Sequence, residues 1–235
     1  MQKRCDTIVS GDIRILQDEG SFCYSTDTLL LLEFINDIYD FSKPTKVLEL
    51  GSGTGGLCLV IARSNPEAKV SGVELQERLV GLSNESAAMN DLSNVSFVRG
   101  DLRNIREMFH PESFNLVVAN PPYFKLGTGK VNVISAKAQA KHEIKSTLSD
   151  FMNSAHYLLK KTGTLCMIHH YSRIYDVFEN ASKLKMKLHA FAPVYQSAAG
   201  GAEGDATHGL FAFSKSGRAE PRTMAPRYIR ACPAN

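Results

Sequence analysis

The stretch that most constrains the fold is an apolar run that ends in glycines and continues as a helix. Residues 46–50 (KVLEL) have the composition of a buried strand, and residues 51–56 (GSGTGG) follow at once. Residues 57–63 then carry apolar side chains in a helical pattern. A glycine loop between a strand and a helix brings backbone N–H groups close to a ligand. The sequence therefore predicts an α/β fold with a ligand site at the carboxyl end of this strand.

The rest of the chain alternates strand-like and helix-like patterns around that unit. The seven predicted strands cover residues 46–50, 68–73, 95–98, 114–119, 163–168, 188–194 and 209–213. Because helical patterns separate most of these strands, we predict a mostly parallel, doubly wound sheet. Only a loop joins the last two strands, which predicts an antiparallel hairpin at one edge.

The same pattern divides the chain into three parts. Residues 1–45 form an N-terminal segment, in which Ser25, Thr26 and Asp27 precede an apolar run and are expected to cap a helix. This segment is expected to pack on the ligand site of the main domain, residues 46–213. Residues 214–235 are rich in Arg and Pro, and we expect a basic, mobile tail on the surface.

The glycine loop matches two ligand-binding patterns. The spacing of Gly51, Gly53 and Gly56 fits the dinucleotide pattern GxGxxG. Glu49 followed by glycines at 51, 53 and Gly55 fits the pattern E/DxGxGxG of enzymes that use S-adenosylmethionine (SAM). The loop alone leaves both ligands open.

Acidic residues at three successive strand ends favour SAM. Glu74 ends the second predicted strand, where both patterns expect a group that holds ribose hydroxyls, and Asp101 follows the third strand. A carboxylate at Glu49 would repel a diphosphate, whereas SAM has no phosphate and carries a positive sulfonium and an ammonium group. We therefore predict SAM as the cofactor rather than a dinucleotide.

A second motif, Asn120-Pro121-Pro122-Tyr123, stands at the end of the fourth predicted strand. The prolines cannot continue the strand, so the chain must turn and present polar groups. The Asn side-chain oxygen and the Asn-Pro carbonyl can accept both hydrogens of an NH2 group, and Tyr123 can stack on a flat ring. These residues are the predicted catalytic groups for substitution at a conjugated amine, which needs no general base.

Composition excludes several classes of protein. A chain of 235 residues with 43% hydrophobic content is ample for one α/β core. Its cysteines are odd in number and never form a CxxC pair, which predicts reduced thiols and no metal site; they are Cys5, Cys23, Cys58, Cys166 and Cys232. No apolar run approaches the about 20 residues of a membrane span. We expect a cytoplasmic protein without a signal peptide.

The charge is unevenly distributed. Residues 1–124 hold 11 Lys and Arg against 17 Asp and Glu, whereas residues 125–235 hold 16 against 7. The basic half begins directly after the second motif. A basic surface beside a site suits a polyanionic substrate, although solvated helix faces and a basic tail would give the same count.

The motifs VLELGSGTG, GVE, GD and ANPPYF together resemble the class I SAM-dependent methyltransferases that act on exocyclic or amide nitrogens. The segments FCYSTDTLLL, NPPYFKLGTGKVN and KAQAKHEI resemble, more narrowly, the bacterial tRNA (adenine-N6)-methyltransferases that modify the adenine 3′ of the anticodon in a valine tRNA. The resemblance covers about residues 10–213. It implies a Rossmann-like fold, SAM as cofactor and tRNA as substrate.

The resemblance also implies roles for matching residues. The methionine part of SAM would lie against Glu49 and the glycine loop, its ribose at Glu74, and its adenine at Asp101. The complete set of implied cofactor contacts is Thr26, Asp27, Glu49, Gly51, Gly53, Gly55, Glu74, Leu75, Asp101, Leu102 and Asn120. Thr26 and Asp27 match a segment that closes over the cofactor. The lysines expected to line the RNA approach are Lys125, Lys130, Lys137, Lys141 and Lys145.

This chain departs from that family at Ser25, where Gly is common, at Lys141, where Arg is usual, and in the run 169–173. His142 and His169 are interpreted as ordinary core or surface histidines because methyl transfer to an amine needs no imidazole base. Four rival functions remain: methylation of a protein glutamine amide, a DNA adenine methyltransferase, a dinucleotide-dependent reductase, and a non-catalytic protein that binds SAM and RNA. A monomer is favoured over an oligomer.

Overall fold

Strands and helices alternate through most of the chain. The computed structural model describes residues 3–8, 12–18, 25–123, 146–198, 201–216 and 220–229. Within these ranges the strands are β1 (Lys3–Ile8), β2 (Ile13–Asp18), β3 (Lys46–Leu50), β4 (Lys69–Glu74), β5 (Val95–Arg99), β6 (Phe114–Ala119), β7 (Leu159–His170), β8 (Lys187–Ala198), β9 (Gly201–Ser214), β10 (Arg222–Thr223) and β11 (Arg227–Ile229). The α-helices are α1 (Thr26–Ile38), α2 (Gly56–Ser64), α3 (Glu77–Met89), α4 (Ile105–Met108), α5 (Leu148–Leu158) and α6 (Ile174–Lys183).

One mixed sheet organises the described part of the chain. Its strand order is β10-β8-β9-β7-β6-β3-β4-β5, and β11 also pairs with β8. The central strands β7, β6, β3, β4 and β5 are parallel neighbours, whereas β9 is antiparallel to both β7 and β8. Because the carboxyl ends of parallel strands meet at one edge, the loops that follow β3, β4, β5 and β6 lie together there.

Helices cover both faces of this sheet. Val47 and Leu48 are successive residues of β3, and they belong to two different buried clusters because side chains alternate across a strand. The first cluster contains apolar residues of α1 and α2, such as Phe34, and the second contains residues of α4, α5 and α6, such as Met152. The result is a three-layer α/β architecture.

The N-terminal residues form a separate antiparallel hairpin, β1 with β2, which packs on α3. The backbone N–H of Leu16 donates to Ser86 Oγ at 2.9 Å, and that of Arg14 donates to Asn90 Oδ1 at 2.9 Å. Helix α1 follows Ser25, which occupies the expected N-cap position, although no side-chain capping bond forms there. Hairpin and helix thus cover the face on which α2 lies.

The predicted Rossmann-like α/β fold, with its mostly parallel sheet and antiparallel edge hairpin, is confirmed. All seven predicted strands are present as β3 to β9. The predicted number of strands is nevertheless wrong, since the sheet has nine strands within the described residues. The two extra strands, β10 and β11, come from the segment that we expected to be a mobile tail, and both run parallel to β8. An edge strand has unpaired backbone N–H and C=O groups, and β10 and β11 form hydrogen bonds with those of β8.

Candidate active site

The glycine loop after β3 lies at the carboxyl edge of the sheet. Gly51, Gly53 and Gly55 have φ angles of +69°, +54° and +79°, which residues with a side chain rarely adopt. The N–H groups of Gly51 and Ser52 donate to the carbonyl of Val73 at 2.8 and 3.0 Å. The loop is therefore folded back against the end of β4, as the strand–loop–helix pattern requires.

Gly55 is also required for space. A Cβ atom at this position would lie 2.5 Å from Phe97 Cζ and 3.1 Å from Ser83 Cβ. Ser83 Oγ in turn donates to the carbonyl of Gly53 at 3.2 Å, so α3 supports the loop directly. The helix α2 can begin at Gly56 only because its predecessor is small and adopts positive φ.

We expect Gly55→Ala to lower the free energy of unfolding by about 2–4 kcal/mol, because it combines left-handed backbone strain with overpacking against Phe97. Urea titration measures the difference. Gly81→Ala is the matched control: Gly81 lies inside α3, a Cβ atom there meets nothing within 4 Å, and alanine should stabilise the helix by up to about 1 kcal/mol. Equal effects of the two substitutions would show that neither strain nor overpacking operates at Gly55.

Glu49 is a buried carboxyl group beneath the loop. Its exposed fraction is 7%, and burial, only partly opposed by a hydrogen bond from the Cys58 thiol at 3.0 Å, raises its pKa to about 8. The negative charge of Glu74 also raises the pKa of Glu49. A positively charged ligand nearby would relieve this repulsion, whereas an anionic ligand would increase it.

Glu74 and Asp101 stand at the next two strand ends, as predicted. Glu74 is buried, and its Oε2 and Oε1 accept backbone N–H bonds from Gly53 and Gln76, both at 3.0 Å. A carboxylate offers about four acceptor positions, so Glu74 retains acceptors for ligand hydroxyls. Asp101 Oδ1 accepts the backbone N–H and the Nε–H of Arg103 at 3.0 and 2.9 Å. Asp101 thus also caps the short 3₁₀ turn Leu102–Asn104.

These groups fit the predicted cofactor. Three carboxyl groups close a site whose loop has no bulky side chains, and one of them is held partly neutral by burial and by its acidic neighbour. These acidic acceptors match the sulfonium, ammonium and ribose hydroxyl groups of SAM. They do not match the two negative charges of a dinucleotide diphosphate.

The Asn-Pro-Pro-Tyr turn begins immediately after β6, between the ends of β3 and β7. The Tyr123 hydroxyl lies 2.9 Å from Asn120 Oδ1 and 2.6 Å from Asp27 Oδ2. Arg173 Nη1 donates to the backbone carbonyl of Tyr123 at 3.0 Å. Helix α1 and the turn after β7 therefore both hold the predicted target-binding turn.

Three histidines surround Tyr123. The ring centroids of His208, His169 and His170 lie 5.2, 5.5 and 6.1 Å from the centroid of the Tyr123 ring. His169 is fully buried, and neither of its ring nitrogens has a hydrogen-bond partner in the described part of the chain. Burial lowers its pKa to about 4, so the imidazole is neutral. We call His169, His170 and His208 the histidine cluster.

Sequence reasoning missed most of this arrangement. No motif points to His208, His170 lies in the run 169–173 where the chain departs from the family, and His169 is interpreted as an ordinary core or surface histidine. His170 and His208 face each other because they pair across β7 and β9, and their ring centroids are 5.2 Å apart. No local motif predicts this contact, because it depends on the register between two strands.

The other predicted cofactor and RNA contacts lie at the following places. Thr26 is exposed at the start of α1, Leu75 is half-buried after β4, and Leu102 packs in the second core cluster. Asp27 Oδ2 accepts a hydrogen bond from the Tyr123 hydroxyl at 2.6 Å. The five lysines expected at the RNA approach, Lys125, Lys130, Lys137, Lys141 and Lys145, lie outside the described residues, as does His142. The roles assigned to individual residues remain predictions.

The described residues contain no group of His, Cys, Asp and Glu that could hold a metal ion. No helix among them is long and apolar enough to cross a membrane. A cavity of about 530 Å³ lies away from the site, beside Pro111 and Glu112, which precede β6 at the opposite edge of the sheet.

Comparison with known proteins agrees with this geometry. A family model described as a methyltransferase domain matches residues 41–214. A tRNA1(Val) (adenine(37)-N6)-methyltransferase of Porphyromonas gingivalis is 28% identical over 155 residues, which cover 65% of this chain and 60% of that protein. A release factor glutamine methyltransferase of Fusobacterium nucleatum is 24% identical over 169 residues, which cover 68% of this chain and 46% of that protein. The chain thus spans about half the length of these relatives.

Among solved structures, a predicted O-methyltransferase from Agrobacterium tumefaciens has a similar fold. The TM-score is 0.65 at 17% identity, and the match covers 86% of this chain and 87% of the other. At this identity the likeness concerns the fold alone.

Proposed function

Since the chain belongs to the family of methyltransferase domains, we propose that it methylates the N6 amine of an adenine in tRNA, in the anticodon-loop region. S-adenosylmethionine is its methyl donor, as in other class I domains of this fold. The proposal concerns the substrate, which the family alone leaves open.

The proposal rests chiefly on one observation, the rings that surround Tyr123 beside Asn120. Tyr123, His170 and His208 are partly exposed and form an aromatic wall at the turn that would hold the acceptor nitrogen, and the buried His169 packs against Tyr123. Aromatic side chains bind an unstacked base through its face, and a purine has two such faces. A glutamine side chain has an amide but no ring, so it would use little of this wall.

The residues present fit the chemistry of an exocyclic amine. The lone pair of the adenine amine is delocalised into the ring, which makes the nitrogen a poor nucleophile. Hydrogen bonds from its two N–H groups to Asn120 Oδ1 and to the Asn120–Pro121 carbonyl would draw the nitrogen toward tetrahedral geometry and free the pair. SAM supplies a methyl group activated by its sulfonium. No general base is needed, in keeping with the low pKa of His169.

Two further observations support tRNA as the carrier of the adenine. Several relatives, including that of Porphyromonas gingivalis, are named as tRNA1(Val) adenine-N6 methyltransferases. Residues 125–235 hold 16 Lys and Arg against 7 Asp and Glu, which suits a polyanionic substrate. Extruding a base costs a few kcal/mol in a duplex and less in a loop, so an anticodon loop is a favourable target.

Labelled SAM, purified protein and unmodified total tRNA test the proposal directly. We expect the label in N6-methyladenosine after digestion of the RNA, and sequencing of the labelled tRNA locates the target. Label in another nucleoside would overturn the adenine assignment.

A second candidate is methylation of a glutamine amide in a protein, because several relatives are named as release factor glutamine methyltransferases. The same incubation with release factors in place of tRNA distinguishes it. Transfer to protein and not to tRNA would replace the first proposal. Binding of SAM without transfer to either substrate would indicate a non-catalytic protein.

Replacing Lys125, Lys130 and Lys137 together by Glu is expected to weaken tRNA binding about 10-fold or more and to reduce the slope of log affinity against log salt by about 2, because phosphate contacts release counterions. Filter binding at several salt concentrations measures both quantities. Lys43→Glu with Lys46→Glu is the control, since both residues are exposed before or at the start of β3, away from the site. An unchanged salt slope would mean that the three lysines do not contact RNA.

A further inference from the structure

We infer that Asp27 is a positioning residue, which accepts the hydrogen bond of the Tyr123 hydroxyl and thereby leaves Asn120 Oδ1 free to bind the acceptor amine. This inference rests on the proposed function for its catalytic consequence, although the contact itself does not. It gives Asp27 a role different from the cofactor contact that the family resemblance implies.

The three residues form a short hydrogen-bonded chain across the site. The Tyr123 hydroxyl lies between Asp27 Oδ2, at 2.6 Å, and Asn120 Oδ1, at 2.9 Å. Asp27 comes from the first turn of α1, 96 residues away from Tyr123 in sequence. Helix α1 is anchored by fully buried apolar residues, among them Phe34 and Ile35, so its carboxylate is held in place by the core.

The direction of the Tyr123 hydroxyl proton decides which of the two acceptors stays available. A phenol has one proton, and here two oxygen atoms compete for it. The carboxylate of Asp27 is charged and closer than the amide oxygen of Asn120, and hydrogen bonds to ionised acceptors are both shorter and stronger. The proton therefore points to Asp27, and Asn120 Oδ1 keeps its lone pairs for the target N–H.

Without a carboxylate at position 27 the proton would turn to Asn120. The hydroxyl would then occupy Asn120 Oδ1, the acceptor that the reaction needs, and Tyr123 would block binding of the target amine. Asp27 thus orients the Tyr123 ring and keeps the catalytic amide available at the same time.

The surroundings keep Tyr123 in its protonated form. Burial, followed by the negative charge of Asp27, raises the pKa of Tyr123 well above its ordinary value. Burial lowers the pKa of His208 and His169, so these two imidazoles are neutral near pH 7. Arg173, the nearby cation, is paired with Asp176. Tyr123 is therefore a hydrogen-bond donor over the working pH range, and Asp27 is its charged acceptor.

A double-mutant cycle tests the inference. We expect Asp27→Asn to lower kcat for tRNA methylation about 10- to 100-fold while the Kd for SAM stays within about 2-fold. Removing the hydroxyl as well should reverse this loss, so that Asp27→Asn/Tyr123→Phe is as active as Tyr123→Phe alone. Glu33→Gln, an exposed acid on the same helix, is the matched control and should change neither constant.

Two results would overturn the inference. Multiplicative losses in the double variant would mean that Asp27 does not act through the Tyr123 hydroxyl. A loss of SAM affinity in Asp27→Asn, equal in both backgrounds, would return Asp27 to the cofactor site. Equal melting temperatures of the single variants exclude a general loss of folding as the cause.

A measurement without substrate separates this inference from the proposed function. In protein labelled with 13C-tyrosine, the signal missing in Tyr123→Phe identifies Tyr123, and its 13Cζ chemical shift at neutral pH reports the hydrogen bond of its hydroxyl. Asp27→Asn should move that chemical shift, because the hydroxyl loses its charged acceptor. An unmoved signal would disprove the contact even if tRNA is the substrate. A shifted signal would support it even if tRNA is not.

Discussion

Replacing Asn120 with alanine is expected to lower the rate of methyl transfer at least about 1,000-fold while leaving SAM affinity within about 3-fold of the unsubstituted protein. In the proposed mechanism Asn120 supplies the acceptor that reshapes the target amine, an interaction that would strengthen in the transition state. Removing one preorganised polar group of this kind typically costs about 100- to 1,000-fold. Here misalignment of the acceptor nitrogen adds to that loss.

Single-turnover transfer from labelled SAM to tRNA measures the rate, and calorimetric titration measures the Kd for SAM. Asn115→Ala is a suitable control because Asn115 lies on the same strand, β6, near the opposite end. There it accepts the backbone N–H of Lys46 at 3.1 Å and the Lys160 ammonium at 3.0 Å. Its loss should reduce stability modestly and leave the chemical step unchanged.

Joint loss of transfer and SAM binding in Asn120→Ala would assign Asn120 to cofactor binding or to the structure of the turn. Retained transfer would exclude it from the chemistry and would remove the main support for an exocyclic amine as acceptor. The two measurements therefore separate the two roles that the sequence assigns to this residue, catalytic and cofactor-binding.

The order of strands and helices was predictable because it depends on local periodicity. β3 has the composition of a strand buried on both faces, and its glycine loop has positive φ angles where the pattern placed glycines. The edge hairpin followed from two apolar runs with no helix between them. Each of these features depends on a few consecutive residues, and the tertiary contacts are consistent with these local preferences.

Contacts between distant segments were not predictable in the same way. Asp27 and Tyr123 are 96 residues apart, and His208 reaches Tyr123 only through its register with His170 across β7 and β9. The strands β10 and β11 likewise form by pairing with the edge of β8. The local pattern of an Arg- and Pro-rich segment does not predict that pairing. Motifs identify the groups that do chemistry, whereas the groups that position them come from the fold.

Glu49→Gln is expected to remove the largest pH dependence of stability in the cofactor site. The pKa of Glu49 is raised from 4.5 to about 8 by burial, so the folded protein binds a proton that the unfolded chain has released between these values. The stabilising contribution is complete below pH 4.5 and is lost as pH rises through 8. The whole shift corresponds to at most about 5 kcal/mol, and we expect about 2–4 kcal/mol of it between pH 5 and 9.

Urea unfolding of both proteins across this pH range checks the expectation. The glutamine variant keeps a neutral, hydrogen-bonding side chain and should show a flatter pH profile. Glu77→Gln is the control, because Glu77 is an exposed acid that pairs with Arg99 at the surface and should leave the profile unchanged. A profile that keeps its slope in Glu49→Gln would mean that another group titrates.

Glu49 should also make SAM affinity depend on pH. We expect SAM affinity to rise over the pH range in which the free energy of unfolding falls. A cationic ligand favours the ionised form of Glu49, so SAM affinity should rise as pH increases toward 8 and then level off. In Glu49→Gln the affinity should be lower at pH 8 and nearly independent of pH. Because protein stability falls over the range in which affinity rises, a general loss of folding cannot produce both trends. Parallel trends would show instead that Glu49 stays neutral beneath the bound cofactor.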